Sequence, residues 1–286
     1  MNPTLESTGY VGVFDSGVGG LTVVRKMLDL LPDQQIVFVA DQAHVPYGGR
    51  HLSEVCSFAE SISGELIRGG ASAVVMACNI STATALQHVS SINPNQVVVG
   101  VIGPGSMAAA ASTRSGSIGV LATEGTVKTR AYSRALHELN PDFEVAEVAC
   151  PLFVPLIEAG ETSSPAAYAA AVQYLAPIVE ARADTVILGC THYPFLLPCL
   201  ESVCPDVMFI DPAVQTVQSL RSELTSRNHR CAKVSGRTSA KHRLYTTGNC
   251  EQFAVQVELF LPGCSSLFQI HHADWQDGHL IIHVDA

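Results

Sequence analysis

Cys78 and Cys190 stand at matching places in two segments of one design. The segments Ala73-Val74-Val75-Met76-Ala77-Cys78-Asn79 and Asp184-Thr185-Val186-Ile187-Leu188-Gly189-Cys190-Thr191-His192 each run through β-branched apolar residues to a small residue, a cysteine and a polar side chain. Short runs of that kind read as buried strands of a parallel sheet. Ligands of open α/β sheets bind beyond the carboxyl ends of the strands, so both thiols are expected to face one substrate. A symmetric thiol pair fits chemistry that runs both ways, one group removing a proton while the other delivers one. A free thiol has a pKa of about 8.5, so whichever cysteine acts as base needs neighbours that favour the thiolate.

The elements that must position these thiols alternate along the chain. Val11-Gly12-Val13-Phe14 reads as a strand, and Gly17 to Gly20 turn into a helical pattern through Leu21, Val24, Met27, Leu28 and Leu31 that stops near Pro32. Strand Ile36 to Ala40, a helix over 53–69, the Cys78 strand, a helix from Thr82 to Ser90 and strand Gln96 to Val101 follow. Repeated βα units predict a parallel sheet. The second half repeats the first: Ile118 to Thr123 answers Val11 to Ser16, Pro141 to Ala149 answers Pro32 to Ala40, and the Cys190 strand answers the Cys78 strand, in order and at nearly constant spacing. The expected fold is α/β, with two similar pseudo-symmetric domains built on central, mainly parallel sheets and an active site in the cleft between them. Residues 1–98 plus 211–286 are expected to form the first domain and 99–210 the second. The closing stretch, with a helical pattern from Cys250 to Leu261 and a strand-like Ile281 to Val284, is expected to return to the first domain.

Composition narrows the function. The chain has 286 residues, 47% hydrophobic and 15% charged, which is globular and core-rich. A formal net charge of -10 argues against a dedicated nucleic-acid or anionic-membrane surface, and the densest basic stretch, Arg221 to Arg243, is too dilute to change that. No run of roughly twenty apolar residues predicts a membrane span. The start, Met1 to Glu6, has neither a basic nor an apolar leader region, and the nine cysteines include no Cys-x-x-Cys pair, so free thiols in a reducing cytoplasm are expected. Cys56, Cys150, Cys199, Cys204, Cys231, Cys250 and Cys264 read as small buried hydrophobes. A zinc site from Cys78, Cys190 and His192 lacks the ligand spacing of structural zinc motifs, and no metal is expected. His271 and His272 read as a solvated pair on a strand or turn.

Two cofactor readings fail on residue type. Gly17-Val18-Gly19-Gly20 lacks the third glycine of a dinucleotide loop at Thr22 and the lysine of a P-loop, and Asp15 would repel a phosphate. That acid suits an ammonium. Asp15 and Ser16 at a strand-to-helix turn can hold the amino group of an amino acid, while free amides of nearby turns and helix N-termini receive its carboxylates. Pyridoxal phosphate needs a Schiff-base lysine, and Lys26, Lys128, Lys233 and Lys241 all fall in predicted helices or a charged loop, not at a strand end. No cofactor is expected.

The strings Gly12-Val13-Phe14-Asp15-Ser16-Gly17-Val18-Gly19-Gly20-Leu21-Thr22, Pro46-Tyr47-Gly48, Ala77-Cys78-Asn79, Cys150-Pro151-Leu152-Phe153-Val154-Pro155-Leu156-Ile157-Glu158 and Leu188-Gly189-Cys190-Thr191-His192-Tyr193-Pro194 strongly resemble the glutamate racemases of the aspartate/glutamate racemase superfamily, in family order from about Tyr10 to about residue 262. The resemblance implies a cofactor-independent enzyme that interconverts L- and D-glutamate and supplies D-glutamate for peptidoglycan. It implies that Cys78 takes the proton of D-glutamate and Cys190 that of L-glutamate, assisted by Asp15 and Asp41 on one side and by Glu158 and His192 on the other. It assigns substrate contacts to Asp15, Ser16, the backbone around Tyr47 and Gly48, the Asn79 side chain, the Ile80 amide, the hydroxyls of Thr123, Thr126 and Thr191, and His192. A packed Pro-Tyr-Gly turn is an equally good reading of Tyr47. Relatives commonly form homodimers.

Two positions depart from the family pattern. Ile80 stands where a threonine is usual, which removes a hydroxyl, and His44 stands where arginine is commoner, which exchanges a permanent charge for one that depends on pH. Two further readings stay open at this level: a sister enzyme acting on aspartate, a hydantoin or a malonate, and a weakly catalytic regulatory binding protein such as a topoisomerase regulator.

Overall fold

The computed structural model describes residues 9–226 and 241–282. Met1 to Glu6, Cys231, Lys233, Val284 and the middle of the Arg221 to Arg243 stretch lie outside the described residues. Four strands, β1 (Tyr10–Asp15), β2 (Ile36–Ala40), β3 (Ala71–Met76) and β4 (Val97–Gly100), pair in parallel in the order β2-β1-β3-β4. Four more, β5 (Ser117–Ala122), β6 (Glu144–Ala149), β7 (Thr185–Gly189) and β8 (Met208–Ile210), pair in parallel in the order β6-β5-β7-β8. The two orders are identical when β5 replaces β1, β6 replaces β2, β7 replaces β3 and β8 replaces β4. Internal repetition of the sequence is therefore repetition of topology.

The chain then returns to the first sheet. β9 (His242–Thr246) and β10 (Phe268–His272) add to its β2 edge in parallel and make it six-stranded, and an antiparallel hairpin of β11 (Asp274–Gln276) and β12 (His279–Ile281) follows. β1 and β2 are buried at every residue, as continuous apolar runs in a sheet covered on both faces must be.

Eleven helices make the crossovers and covers among the described residues: α1 (Leu21–Leu30), α2 (Leu52–Arg68), α3 (Asn79–Ile92), α4 (Ile102–Ser112), α5 (Glu124–Thr129), α6 (Ala131–Leu139), α7 (Phe153–Glu158), α8 (Pro165–Glu180), α9 (Leu197–Val203), α10 (Pro212–Ser226) and α11 (Cys250–Phe260). Leu21, Val23, Val24 and Met27 of α1 are buried, each burial worth about 1.5–3 kcal/mol before entropy is counted. α10 packs on both α1 and α4, so one apolar cluster runs from Phe38 and Val75 of the first sheet to Val120 and Ile187 of the second.

Two local readings of the sequence change. α3 begins at Asn79, not at Thr82, because Cys78 already has the extended backbone of an N-cap and its carbonyl accepts the Thr82 amide at 2.9 Å. Burial decides this: Asn79, Ile80, Ser81 and Thr82 are all buried, and Thr82 Oγ1 donates back to the Met76 carbonyl at 2.9 Å. His271 and His272 are not equally solvated. His272 is exposed, whereas His271 is half-buried on β10 with its ring stacked on Tyr245 at 5.2 Å.

Candidate active site

The carboxyl ends of β1, β3, β5 and β7 open onto one cavity of about 510 Å³, a size ordinary for a small-molecule site. Among the residues expected from sequence, Asp15, Ser16, Tyr47, Gly48, Cys78, Asn79, Ile80, Thr123, Thr126, Glu158, Cys190, Thr191 and His192 line it. Asp41 does not.

On the first side, Cys78 follows β3 and is 5% exposed, with Sγ 3.8 Å from Ser16 Oγ. Burial, and then the negative charge of Asp15, push its thiol pKa up to about 12, while groups of Ser81 and Ser16 pull the other way. In the empty cleft Cys78 is a thiol. Asp15 is 1% exposed and accepts the Gly20 amide at 2.8 Å and the Thr191 hydroxyl at 3.4 Å. Burial raises its carboxyl above the usual range, opposed by the charge of His192 and the amides of Gly20, Gly17 and Ser16.

On the second side, Cys190 follows β7, 8% exposed, with Sγ 3.8 Å from His192 Nδ1. His192 Nε2 lies 3.2 Å from Glu158 Oε1, at the end of α7. Burial alone would depress the imidazole, but its contacts with Cys190 and Glu158 and the charge of Asp15 raise its pKa to about 10. At neutral pH His192 is thus an imidazolium, a fixed counter-charge for a thiolate at Cys190. The two halves interlock here: a Cβ on Gly19 would clash with Thr191 Oγ1 and His192 Nδ1, so the glycine-rich turn needs a bare backbone for close approach, not for phosphate.

Asp41 sits one layer back as a hub. Its Oδ2 accepts from Tyr47 hydroxyl at 2.6 Å and lies 2.8 Å from His44 Nδ1; its Oδ1 accepts from Thr247 Oγ1 at 2.9 Å and from Trp275 Nε1 at 2.8 Å. Both oxygens are engaged, and Asp41 is fully buried. Tyr47, 2% exposed, is both a packed turn residue and a lining residue of the cavity. His44 stacks on Phe58 at 4.1 Å and meets Trp275 edge-on at 5.0 Å, behind the cleft. Sequence reading missed Thr247, Phe58 and Trp275; the one available signal was that a lone tryptophan must find an acceptor for its N–H when it packs.

The remaining wall comes from α3 and α5. Asn79 is the first residue of α3, and Thr123 caps α5 with its hydroxyl 3.0 Å from Thr126 Oγ1. The Ile80 side chain fills the space over Gly125, where any Cβ would collide with it. Cys150, read as a structural thiol, also lines the cavity; it is 1% exposed and burial raises its pKa, which keeps it a neutral thiol.

This arrangement places two buried thiols, one beside a carboxylate and one beside an imidazolium, at topologically equivalent strand ends around one cleft. Comparison with known proteins gives the family. The sequence model of the Asp/Glu/Hydantoin racemase family matches residues 11–220. The chain is 41% identical over 258 residues to a glutamate racemase of Desulforudis audaxviator, covering 88% of this chain and 94% of that one. Its fold resembles a glutamate racemase of Bacillus anthracis with a TM-score of 0.85 at 33% identity, covering 95% of this chain and 98% of the other. It also resembles the glutamate racemase of Francisella tularensis in complex with D-glutamate, with a TM-score of 0.83 at 31% identity, covering 93% of this chain and 96% of the other.

Proposed function

The chain belongs to the Asp/Glu/Hydantoin racemase family, and we propose that it racemises glutamate by a two-thiol mechanism in which Cys78 and Cys190 act from opposite faces of the α-carbon. The observation that carries this reading is the pair itself: two buried cysteines at equivalent strand ends, lining one cavity. Two opposed proton carriers invert a carbon without a second substrate.

The substrate ammonium is assigned to Asp15 and Ser16, and the carboxylates to the backbone at Tyr47 and Gly48, the Asn79 amide, the Ile80 N–H and the hydroxyls of Thr123, Thr126 and Thr191. Burial and then the Asp15 charge raise the Cys78 pKa; an ammonium against Asp15 offsets the second of these, so binding favours loss of the Cys78 proton. With D-glutamate, the Cys78 thiolate takes the α-proton, the C–H electron pair delocalises into the adjacent carboxylate, and the Cys190 thiol protonates the opposite face to give L-glutamate. The thiolate left on Cys190 faces the His192 imidazolium, which Glu158 holds in place. L-glutamate runs the same path backwards. Asp41 acts by holding Tyr47.

The family resemblance extends the proposal to supply of D-glutamate for peptidoglycan in the cytoplasm, by a homodimer in which each subunit holds both domains, 1–98 plus 211–286 and 99–210. Proton NMR in heavy water with D-glutamate, L-glutamate and L-aspartate supplied separately, beside circular dichroism, tests the reaction. Loss of the α-proton signal and inversion with both glutamate enantiomers, but not aspartate, is the expected result; silence with glutamate refutes it and leaves the sister substrates.

A further inference from the structure

Tyr132 is fully buried on α6, yet its hydroxyl crosses to α3 and donates to Asn79 Oδ1 at 2.7 Å. The ring cannot follow a wandering partner. A Cβ on Gly189, the residue before Cys190, would stand 3.1 Å from Tyr132 Cε2, and one on Gly105 of α4 would stand 3.7 Å from Cε1. The end of β7 and the face of α4 thus fix where the phenol oxygen lies.

That fixed oxygen decides how the Asn79 amide is turned. An asparagine side chain offers one acceptor oxygen and two donor N–H groups on atoms of similar shape. A buried phenol hydrogen needs an acceptor, and Asn79 Oδ1 is the one it has; a flipped amide would face that hydrogen with N–H groups and orphan it. Asn79 Nδ2 makes no hydrogen bond among the described residues, and Asn79 lines the cavity beside Cys78.

We infer that Tyr132 is a positioning residue for the reaction: by engaging Asn79 Oδ1 it turns the Asn79 amide nitrogen into the cleft as a fixed donor for a substrate carboxylate. The inference rests on the glutamate reading above and adds a residue to it. A donor held ready before binding loses no orientation when the substrate arrives. The same phenol packs against the strand end that precedes Cys190 and bonds the first residue of the helix that follows Cys78, so one side chain references the carboxylate donor to both thiols.

Steady-state kinetics of the full chain with each glutamate enantiomer test this. Tyr132→Phe, which keeps the wedged ring and removes the hydroxyl, is expected to raise KM about tenfold for both enantiomers with kcat changed less than about threefold. Asn79→Ala is expected to raise KM similarly, and the double variant no further than Asn79→Ala alone, since the hydroxyl acts only through Asn79. A purely structural hydroxyl would lower thermal stability without that KM effect. If Tyr132→Phe does not fold, Asn79→Asp carries the test: it keeps an acceptor for Tyr132 and removes the donor, so an unchanged KM overturns the inference. Active wild type with KM within about twofold in Tyr132→Phe, or single effects that multiply, overturns it alone. Wild type inert toward both enantiomers overturns the glutamate reading beneath it.

Discussion

The indole N–H of Trp275 donates to Asp41 Oδ1 at 2.8 Å across a separation of 234 residues, tying the closing hairpin to the hub behind Tyr47. Trp275→Phe keeps an aromatic edge against His44 but leaves a buried carboxylate oxygen one donor short. The expected cost is about 1–2 kcal/mol of stability, read by urea unfolding. Because the two enantiomers have equal free energy in water, kcat/KM must fall by the same factor in both directions, whatever happens to each kcat. An unequal fall would expose a faulty assay; unchanged stability would mean the bond is not made.

Each thiol is separately required. Cys78→Ser and Cys190→Ser replace a soft, acidic proton carrier with a hydroxyl that ionises far less readily, and each is expected to reduce inversion about 10²- to 10⁴-fold in both directions. The readout is circular dichroism with each enantiomer. Full-rate inversion by either variant would remove the two-thiol mechanism.

His192 sets a pH signature. Its folded pKa, about 10, lies above the unfolded value of about 6.5, so the folded state binds the extra proton between those values. Its contribution to stability is therefore complete below about pH 6.5 and is lost as pH rises toward 10. Denaturant midpoints measured at pH 6.5 and pH 9 should fall with pH in the wild type, and the fall should be shallower in His192→Gln. Equal slopes would show that the imidazolium is not held by Cys190 and Glu158.

Gly19 tests the interlock of the halves. In Gly19→Ala the new methyl meets Thr191 Oγ1 and His192 Nδ1, which carry the second thiol's surroundings. Overpacking of this kind costs about 1–3 kcal/mol, and activity should fall further than stability because the displaced imidazole belongs to the site. A variant with wild-type kcat and KM would contradict the close approach.

Most of the frame was legible in sequence because it is local. Short buried runs rich in β-branched residues over Ile36 to Ala40 and Thr185 to Gly189 mark strands, and repeated order marked the second half as a copy of the first. The thiols and the cleft residues followed from that frame together with the family resemblance. The start of α3 was not legible, since Asn79, Ile80, Ser81 and Thr82 are poor helix formers that burial alone holds in a first turn. Nor was the true setting of Asp41: its partners Thr247 and Trp275 reach it only after the chain returns to the first sheet, and no spacing rule links residues that far apart. Tyr132 looked like any apolar position of α6 until its hydroxyl was seen to have a partner.

The unequal neighbours of the two thiols give a near-symmetric cleft a resting handedness. Empty, it holds one proton on Cys78 beside Asp15 and another on His192 beside Cys190. Negative charge that forms at Cys78 faces Asp15, whereas negative charge that forms at Cys190 faces the His192 imidazolium, so the two directions of one reaction meet different fields. In the proposed two-thiol reaction each turnover exchanges which thiol carries the proton, leaving the cleft in the mirror-image state, poised for the enantiomer it has just made. Before the same enantiomer can react again, protons must be exchanged with solvent, so the enzyme carries a one-turnover memory of what it last converted.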